Sequence, residues 1–245
     1  MFETIGFFSK LAASLIFVNP VLGKIKKVRE KDGDEAADKY IFEFVKDWSQ
    51  KRLNDTGCHI FVHGAENIPE NQNVLFVSNH QSNLDFVLLL AKLNKPVGFI
   101  AKVELEKIPL LRDWMRVINC LFMDRDDMRQ QVKTIVEGIN LLKSGKSMVV
   151  FPEGTRSKDG KMIDFKAGSF KLATKSKVPI VPVTIDGTFN ALEGNGNKLI
   201  PGDINLYIHE PVHIDRLSKE EADSLNVYVR NIIIRPLEEK YGKQQ

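Results

Sequence analysis

A strand-to-helix junction near the middle of the chain sets the strongest constraint on its fold. The apolar run Val74-Leu75-Phe76-Val77 gives way to Asn79-His80-Gln81-Ser82-Asn83-Leu84-Asp85, and a second apolar run, Phe86-Val87-Leu88-Leu89-Leu90, follows. The first run reads as a strand and the second as a helix. A histidine and an aspartate thus fall where open α/β sheets bind their ligands. Histidine is the usual general base near neutral pH, and a buried aspartate can fix its tautomer.

The spacing can be tested against geometry. On one α-helix, residues five apart point about 140° away from each other. His80 and Asp85 therefore meet only if His80 precedes the helix and Asp85 lies in its first turn. Ser82 then suits the N-cap, with Asp85 three positions on. A plainer reading uses the same residues: Ser82 and Asp85 form a capping-box variant and His80 is a loop residue.

A second polar run, Phe151-Pro152-Glu153-Gly154-Thr155-Arg156-Ser157, follows the strand-like Ser147-Met148-Val149-Val150. Pro152 removes a donor and Gly154 permits positive φ, so the chain turns sharply after Phe151. Arg156 is then presented near the sheet end, where a guanidinium can fork onto a phosphate or carboxylate. The competing reading pairs Arg156 with Glu153 or with another acid at the surface.

Taken together the two motifs resemble the glycerolipid acyltransferase family, and within it the bacterial 1-acyl-glycerol-3-phosphate acyltransferases. Asn79, His80 and Asp85 match its Asn-His-four residues-Asp motif, and Phe151 to Ser157 match Phe-Pro-Glu-Gly-Thr-Arg-Ser throughout. Between them stand Lys102-Val103-Glu104-Leu105, Pro109 and Phe122-Met123-Asp124-Arg125. Phe165-Lys166-Ala167-Gly168 and the proline-flanked strand Val178-Pro179-Ile180-Val181-Pro182-Val183 complete the order. The likeness covers roughly residues 57 to 210. Members often carry a glycine where this chain has Arg112-Asp113, which leaves the loop between Pro109 and Trp114 open.

The resemblance implies acyl transfer from a thioester to the 2-hydroxyl of 1-acyl-glycerol 3-phosphate (lysophosphatidic acid), giving phosphatidic acid. It assigns the base to His80 and its orientation to Asp85. Arg156 is the first choice for the acceptor phosphate, with Lys102 as a second cation. Glu153 braces the loop or accepts a hydrogen bond from the acceptor, and Gly154 and Thr155 shape the phosphate or oxyanion pocket. Arg125 belongs to the family motif, and Lys166 begins a helix whose positive end suits an anion. No cofactor is required, and the acyl donor is a co-substrate, acyl-CoA or acyl carrier protein. The alternatives are another acceptor (glycerol 3-phosphate or a different lyso-lipid), a non-catalytic membrane-binding homologue, and a hydrolase acting through Cys58 or Cys120.

Strand-like runs at Ile60–His63, Val74–Ser78, Val97–Ala101, Asn119–Met123, Met148–Phe151, Ile180–Thr184 and Asn205–Ile208 alternate with helices. The helices read as Leu84–Leu93, Arg129–Leu142, Ala167–Lys175 and Glu220–Tyr241. This pattern predicts an α/β fold: a mixed, mostly parallel sheet flanked by helices, with an N-terminal two-helix membrane-binding motif. Val132, Ile135, Val136, Ile139 and Leu142 repeat at helical spacing and are expected to pack in the core.

The first 56 residues differ from the rest, so the expected division is 1–56, a membrane-associating helical hairpin, and 57–245, the acyltransferase domain. Ile5 to Val18 is apolar, broken by Lys10 and stopped by Asn19-Pro20. About 20 apolar residues are needed to span a bilayer, and there is neither a basic start nor a cleavage site for a signal peptide. Lys24, Lys26, Lys27, Arg29 and Lys31 follow, then an Asp32-Gly33-Asp34 linker and a second helix with Tyr40, Ile41, Phe44, Val45 and Trp48 on one face. Phe7, Phe8, Phe17 and Trp48 are the expected lipid contacts, although the same helices could instead pack on the core. The implied location is the cytoplasmic face of the cell membrane, peripheral or monotopic.

Composition narrows the partners. A net charge of +3 without a basic, aromatic-rich stripe argues against nucleic acid. The two cysteines read as buried thiols, and the five histidines lack metal-ligand spacing.

Overall fold

The structure, a computed structural model, describes residues 2–243, and the side chains of residues 2–5 and 8 lie outside that description. The expectation for Phe8 therefore falls outside the described residues. Seven strands form one sheet in the order β1-β7-β6-β2-β5-β3-β4. They are β1 (His59–His63), β2 (Leu75–Ser78), β3 (Val97–Lys102), β4 (Leu121–Met123), β5 (Ser147–Val150), β6 (Ile180–Asp186) and β7 (Asp203–Ile208). All neighbours run parallel except β6 and β7. The helices are α1 (Phe2–Asn54), α2 (Leu84–Lys92), α3 (Pro109–Val117), α4 (Met128–Lys143), α5 (Lys171–Ser176), α6 (Thr188–Ala191), α7 (Lys219–Asp223) and α8 (Leu225–Tyr241).

Period-two alternation divides the core between the two faces of the sheet. Phe76 and Val149 share one apolar cluster with residues of α1, α2 and α3. Their strand neighbours Leu75, Val77, Met148 and Val150 join α4, α5 and α8 in the other. A parallel strand covered on both faces must be apolar at every position, and β2 and β5 are buried throughout. The cluster on α4 is reassigned by the structure. Thr134, Gly138 and Leu142 face the core, whereas Val132 and Val136 are exposed and Ile135 and Ile139 only half-buried. Gly138 sets this orientation, because a Cβ there would lie 2.6 Å from Leu172 Cδ2, so α5 needs that face of α4 closest.

The N-terminal region is a single helical element instead of two helices joined by a linker. Within it Gly33 leaves helical φ/ψ (φ 89°, ψ 177°), a conformation open to glycine. The arms on either side fold back on each other: Arg52 donates to the Lys10 carbonyl at 3.2 Å and Trp48 Nε1 to Ser14 Oγ at 3.1 Å. Pro20 does not stop the helix. A proline there forfeits one backbone hydrogen bond, but the turns beyond it are held by packing, with Ile25 in the core and Val21 and Leu22 against it. Phe7, expected in lipid, is also buried in that core, and Trp48 is half-buried; Phe17 is 81% exposed. The single C-terminal helix expected from sequence is broken at Ser224, with Leu225, Val229 and Ile233 of α8 buried against the sheet.

Candidate active site

The site is assembled at the carboxyl ends of three adjacent parallel strands, β5, β2 and β6. Asn79 follows β2 and is clamped to β6: its side-chain amide donates to the Ile185 carbonyl at 2.8 Å and its Oδ1 accepts the Ile185 N–H at 2.7 Å. Those bonds fix where His80 begins. His80 Nδ1 lies 2.8 Å from Asp85 Oδ2. The same oxygen accepts the backbone N–H groups of Gln81 (2.7 Å) and Ser82 (2.9 Å). Asp85 is fully buried, so its charge is held by these donors and by Thr188, whose hydroxyl donates to Oδ1 at 2.6 Å. The expected cap moves by one residue: α2 starts from Asn83, not from Ser82, and has no side-chain cap. Asp85 instead ties the Gln81-Ser82 turn before the helix and also holds the imidazole. With Nδ1 engaged, Nε2 is the ring nitrogen left for chemistry. The ring stacks on Phe151 at a centroid distance of 4.1 Å.

Glu153 lies behind this pair. Its Oε1 accepts the His80 backbone N–H at 2.7 Å and its Oε2 that of Ile163 at 3.1 Å. It is 2% exposed, and burial pushes its carboxyl up to about 7 against those two donors. Ser157 N–H returns to the His80 carbonyl at 2.9 Å, which knits the two strand-end loops together.

Arg156 has an acid partner in the structure. Its guanidinium donates to Glu193 Oε1 at 2.7 Å. Glu193 also accepts the Asn83 N–H at 2.9 Å and bonds the Ser82 hydroxyl. Lys102 pairs with Glu104 on the exposed surface. Thr155 is exposed, with its hydroxyl 3.5 Å from the Arg156 carbonyl. Arg125, Lys166 and Gly154 instead line a groove of about 740 Å³ that also contains His80. Phe86, Phe99, Leu111, Met115 and the outward side of α4 give the groove its apolar wall. Gly154 has φ +72°, and a Cβ there would sit 2.7 Å from Lys166 Nζ, so the glycine allows the lysine to lie across the loop.

Thr188 and Glu193 were not legible in the sequence. Each follows β6, more than 100 residues after its partner near α2, and no local pattern marks it. Asp186-Gly187-Thr188 at a strand end becomes a signal only once β6 is known to adjoin β2. Cys120 offers no rival centre, being buried and pushed up to about 12 by desolvation, whereas Cys58, expected to be buried, is half-buried just before β1.

A mostly parallel α/β sheet with a histidine–aspartate pair opening onto an apolar groove is an arrangement suited to acyl transfer, and the acyltransferase family pattern matches residues 59–186. The chain belongs to that family, in its 1-acyl-sn-glycerol-3-phosphate acyltransferase (PlsC) group. It is 33% identical over 184 residues to the 1-acyl-sn-glycerol-3-phosphate acyltransferase of Borreliella burgdorferi, covering 74% of this chain and 73% of that one. It is 37% identical over 175 residues to the chloroplastic enzyme BAT2 of Brassica napus, covering 68% of this chain and 51% of that protein. For the chloroplastic LPAT1 of Arabidopsis thaliana the covered share is 44%, so the chain spans about half the length of these plant relatives. The crystal structure of the lysophosphatidic acid acyltransferase PlsC from Thermotoga maritima superposes with a TM-score of 0.83 at 33% identity, covering 99% of this chain and 97% of that one.

Proposed function

We propose that this chain transfers a fatty acyl group from an acyl thioester to the 2-hydroxyl of 1-acyl-glycerol 3-phosphate, forming phosphatidic acid. The observation that carries the reading is the 2.8 Å His80–Asp85 pair on the wall of an apolar groove. His80 Nε2 takes the hydroxyl proton as the acceptor oxygen attacks the thioester carbonyl. Asp85 holds the tautomer and stabilises the imidazolium. Collapse of the tetrahedral adduct breaks the carbon–sulfur bond, and His80 returns the proton to the leaving thiolate. The products are an ester and a free thiol, and no protein nucleophile is needed because the thioester is already activated. Acyl-CoA and acyl carrier protein both present such a thioester.

The acceptor phosphate needs cations beside the groove. Arg125 and Lys166 lie on its wall, while Arg156 keeps donors to spare beyond its one bond to Glu193 and supplies the fork. Lys102 is a further cation near the end of β3. Glu153 is buried and positions the His80 backbone. Residues 1–56 act as the membrane-associating part and 57–245 as the transferase part. Among the described residues no helix is long and apolar enough to cross a membrane, and one-sided attachment through the exposed Ile16 and Phe17 fits that geometry.

Purified protein should be assayed for ester formation with lysophosphatidic acid, glycerol 3-phosphate and a phosphate-free lyso-lipid, each with acyl-CoA and acyl carrier protein. Transfer to lysophosphatidic acid above the others supports the reading. Release of free fatty acid alone, or no turnover with any acceptor, overturns it.

A further inference from the structure

Three apolar side chains on α4 are in the wrong place for a soluble surface. Met128, Val132 and Val136 are 78%, 61% and 50% exposed. Four-residue spacing puts them in one stripe about 80° wide along the helix. They are also part of the groove wall, so the groove is open to solvent along this stripe. Arg129 and Lys133 border the stripe and are themselves exposed, with Glu137 on the same row 4.0 Å from Lys133.

We propose that this face of α4 is a second membrane contact, one that lays the open side of the groove against an anionic bilayer. The inference rests on the reading of the groove as an acyl-chain site. An apolar helix stripe with a basic border is the pattern of a helix lying in the interface, apolar side in the acyl boundary and cations at the headgroups. The other wall supports the same occupant. Leu111 and Met115 of α3 face the groove and also contact the cavity lined by Leu15 and Val18. The exposed Ile16 and Phe17 lie beside those residues. Exposed apolar side chains therefore occur both on α4 and on α1, next in sequence to the residues that line the cavity behind α3. A lipid acyl chain entering from the bilayer would pass from one apolar medium to another without crossing water.

The full chain carrying Val132→Trp, read against the unsubstituted protein to remove Trp48 and Trp114, tests the contact directly. With phosphatidylglycerol/phosphatidylethanolamine vesicles its added emission should shift blue and be quenched by lipids brominated on the acyl chain. Unchanged emission on vesicles that the protein does bind overturns the proposal, as does failure to bind them at all. The double variant Arg129→Glu/Lys133→Glu should weaken sedimentation with these vesicles about 30-fold or more, at about 1 kcal/mol for each basic side chain removed from the headgroups. Its turnover on a dispersed short-chain acceptor should not change. Undiminished vesicle binding by this variant also overturns the proposal. Lipid quenching at position 132 in a protein that transfers no acyl group supports the membrane contact while removing the acyltransferase reading.

Discussion

Glu193 accepts the Arg156 guanidinium at 2.7 Å and on its other oxygen holds the Ser82 hydroxyl, so one carboxylate joins the loop after β5 to the turn that starts α2. The arginine read from sequence as a phosphate ligand is thus already oriented by an acid 37 residues further on. Glu193→Ala should raise the acceptor KM and also lower kcat, because the Ser82 turn next to His80 loses its anchor. Arg156→Ala should raise the acceptor KM about tenfold or more for phosphate-bearing acceptors, and Arg156→Lys should recover part of it, since an ammonium cannot copy the fork. An equal loss with a phosphate-free lyso-lipid would show that Arg156 only braces the loop.

His80→Ala should lower turnover by about 10²–10⁴-fold with little change in melting temperature or vesicle binding. Asp85→Asn should lower it strongly as well, because the amide no longer enforces the Nδ1–H tautomer. Thr188→Val removes the 2.6 Å donor to Asp85 Oδ1 and should lower kcat with little change in the acceptor KM. Near-normal turnover in purified His80→Ala would sink the chemistry.

Glu153 and His209 should give opposite pH dependences of stability. The Glu153 carboxyl is raised to about 7 by burial, so its contribution is full below about 4.5 and is lost as pH rises through 7, on the order of 3 kcal/mol. His209 is lowered to about 4 by burial, with Arg235 adding to the effect. Its contribution is present above about 6.5 and is lost as pH falls through 4. Denaturant unfolding of the wild type minus Glu153→Gln, between pH 4.5 and 7.5, isolates the first. A flat difference across that window would contradict it.

Gly154→Ala should be costly for two reasons. The backbone is in the left-handed region and the new Cβ would meet Lys166 Nζ at 2.7 Å. The strain is about 1–2 kcal/mol, and a displaced Lys166 should raise the acceptor KM. Thermal unfolding and acceptor titration read the two effects separately.

Phe17→Glu should reduce vesicle binding while leaving the melting temperature nearly unchanged, because this side chain touches little of the core and its insertion is worth about 1.5–3 kcal/mol. Phe7→Glu should instead destabilise the fold, since Phe7 is buried. Similar melting losses in both variants would mean that Phe17 is core packing. The same burial means that deleting residues 1 to 55 would strip Ile25, Ile41, Val45 and Leu53 from the core as well, so point substitutions are the cleaner probe.

The strands and helices around the site were legible because their signals are local. Apolar runs of four or five residues, polar breaks and helical spacing placed β2, α2 and β5 within a residue or two. Where local signals were read too literally, packing overrode them. Asn19-Pro20 resembles a stop, yet tertiary contacts carry α1 through it. The α4 repeat resembles a core face, yet Gly138 and Thr134 take the inner side and leave Val132 and Val136 outside. The short helix α3 is missing from the sequence reading.

By itself the sequence determined the two strand-end motifs, the spacing that lets His80 precede the helix bearing Asp85, and the α/β class. All of these depend on residues within a few positions of one another. Only the tertiary structure decided that β5, β2 and β6 are neighbours, and hence that Thr188 supports Asp85, that Glu193 takes Arg156, and that Arg125 and Lys166 share a groove with His80. Strand adjacency is set by the burial of whole faces between distant segments, a balance that no single stretch of chain encodes.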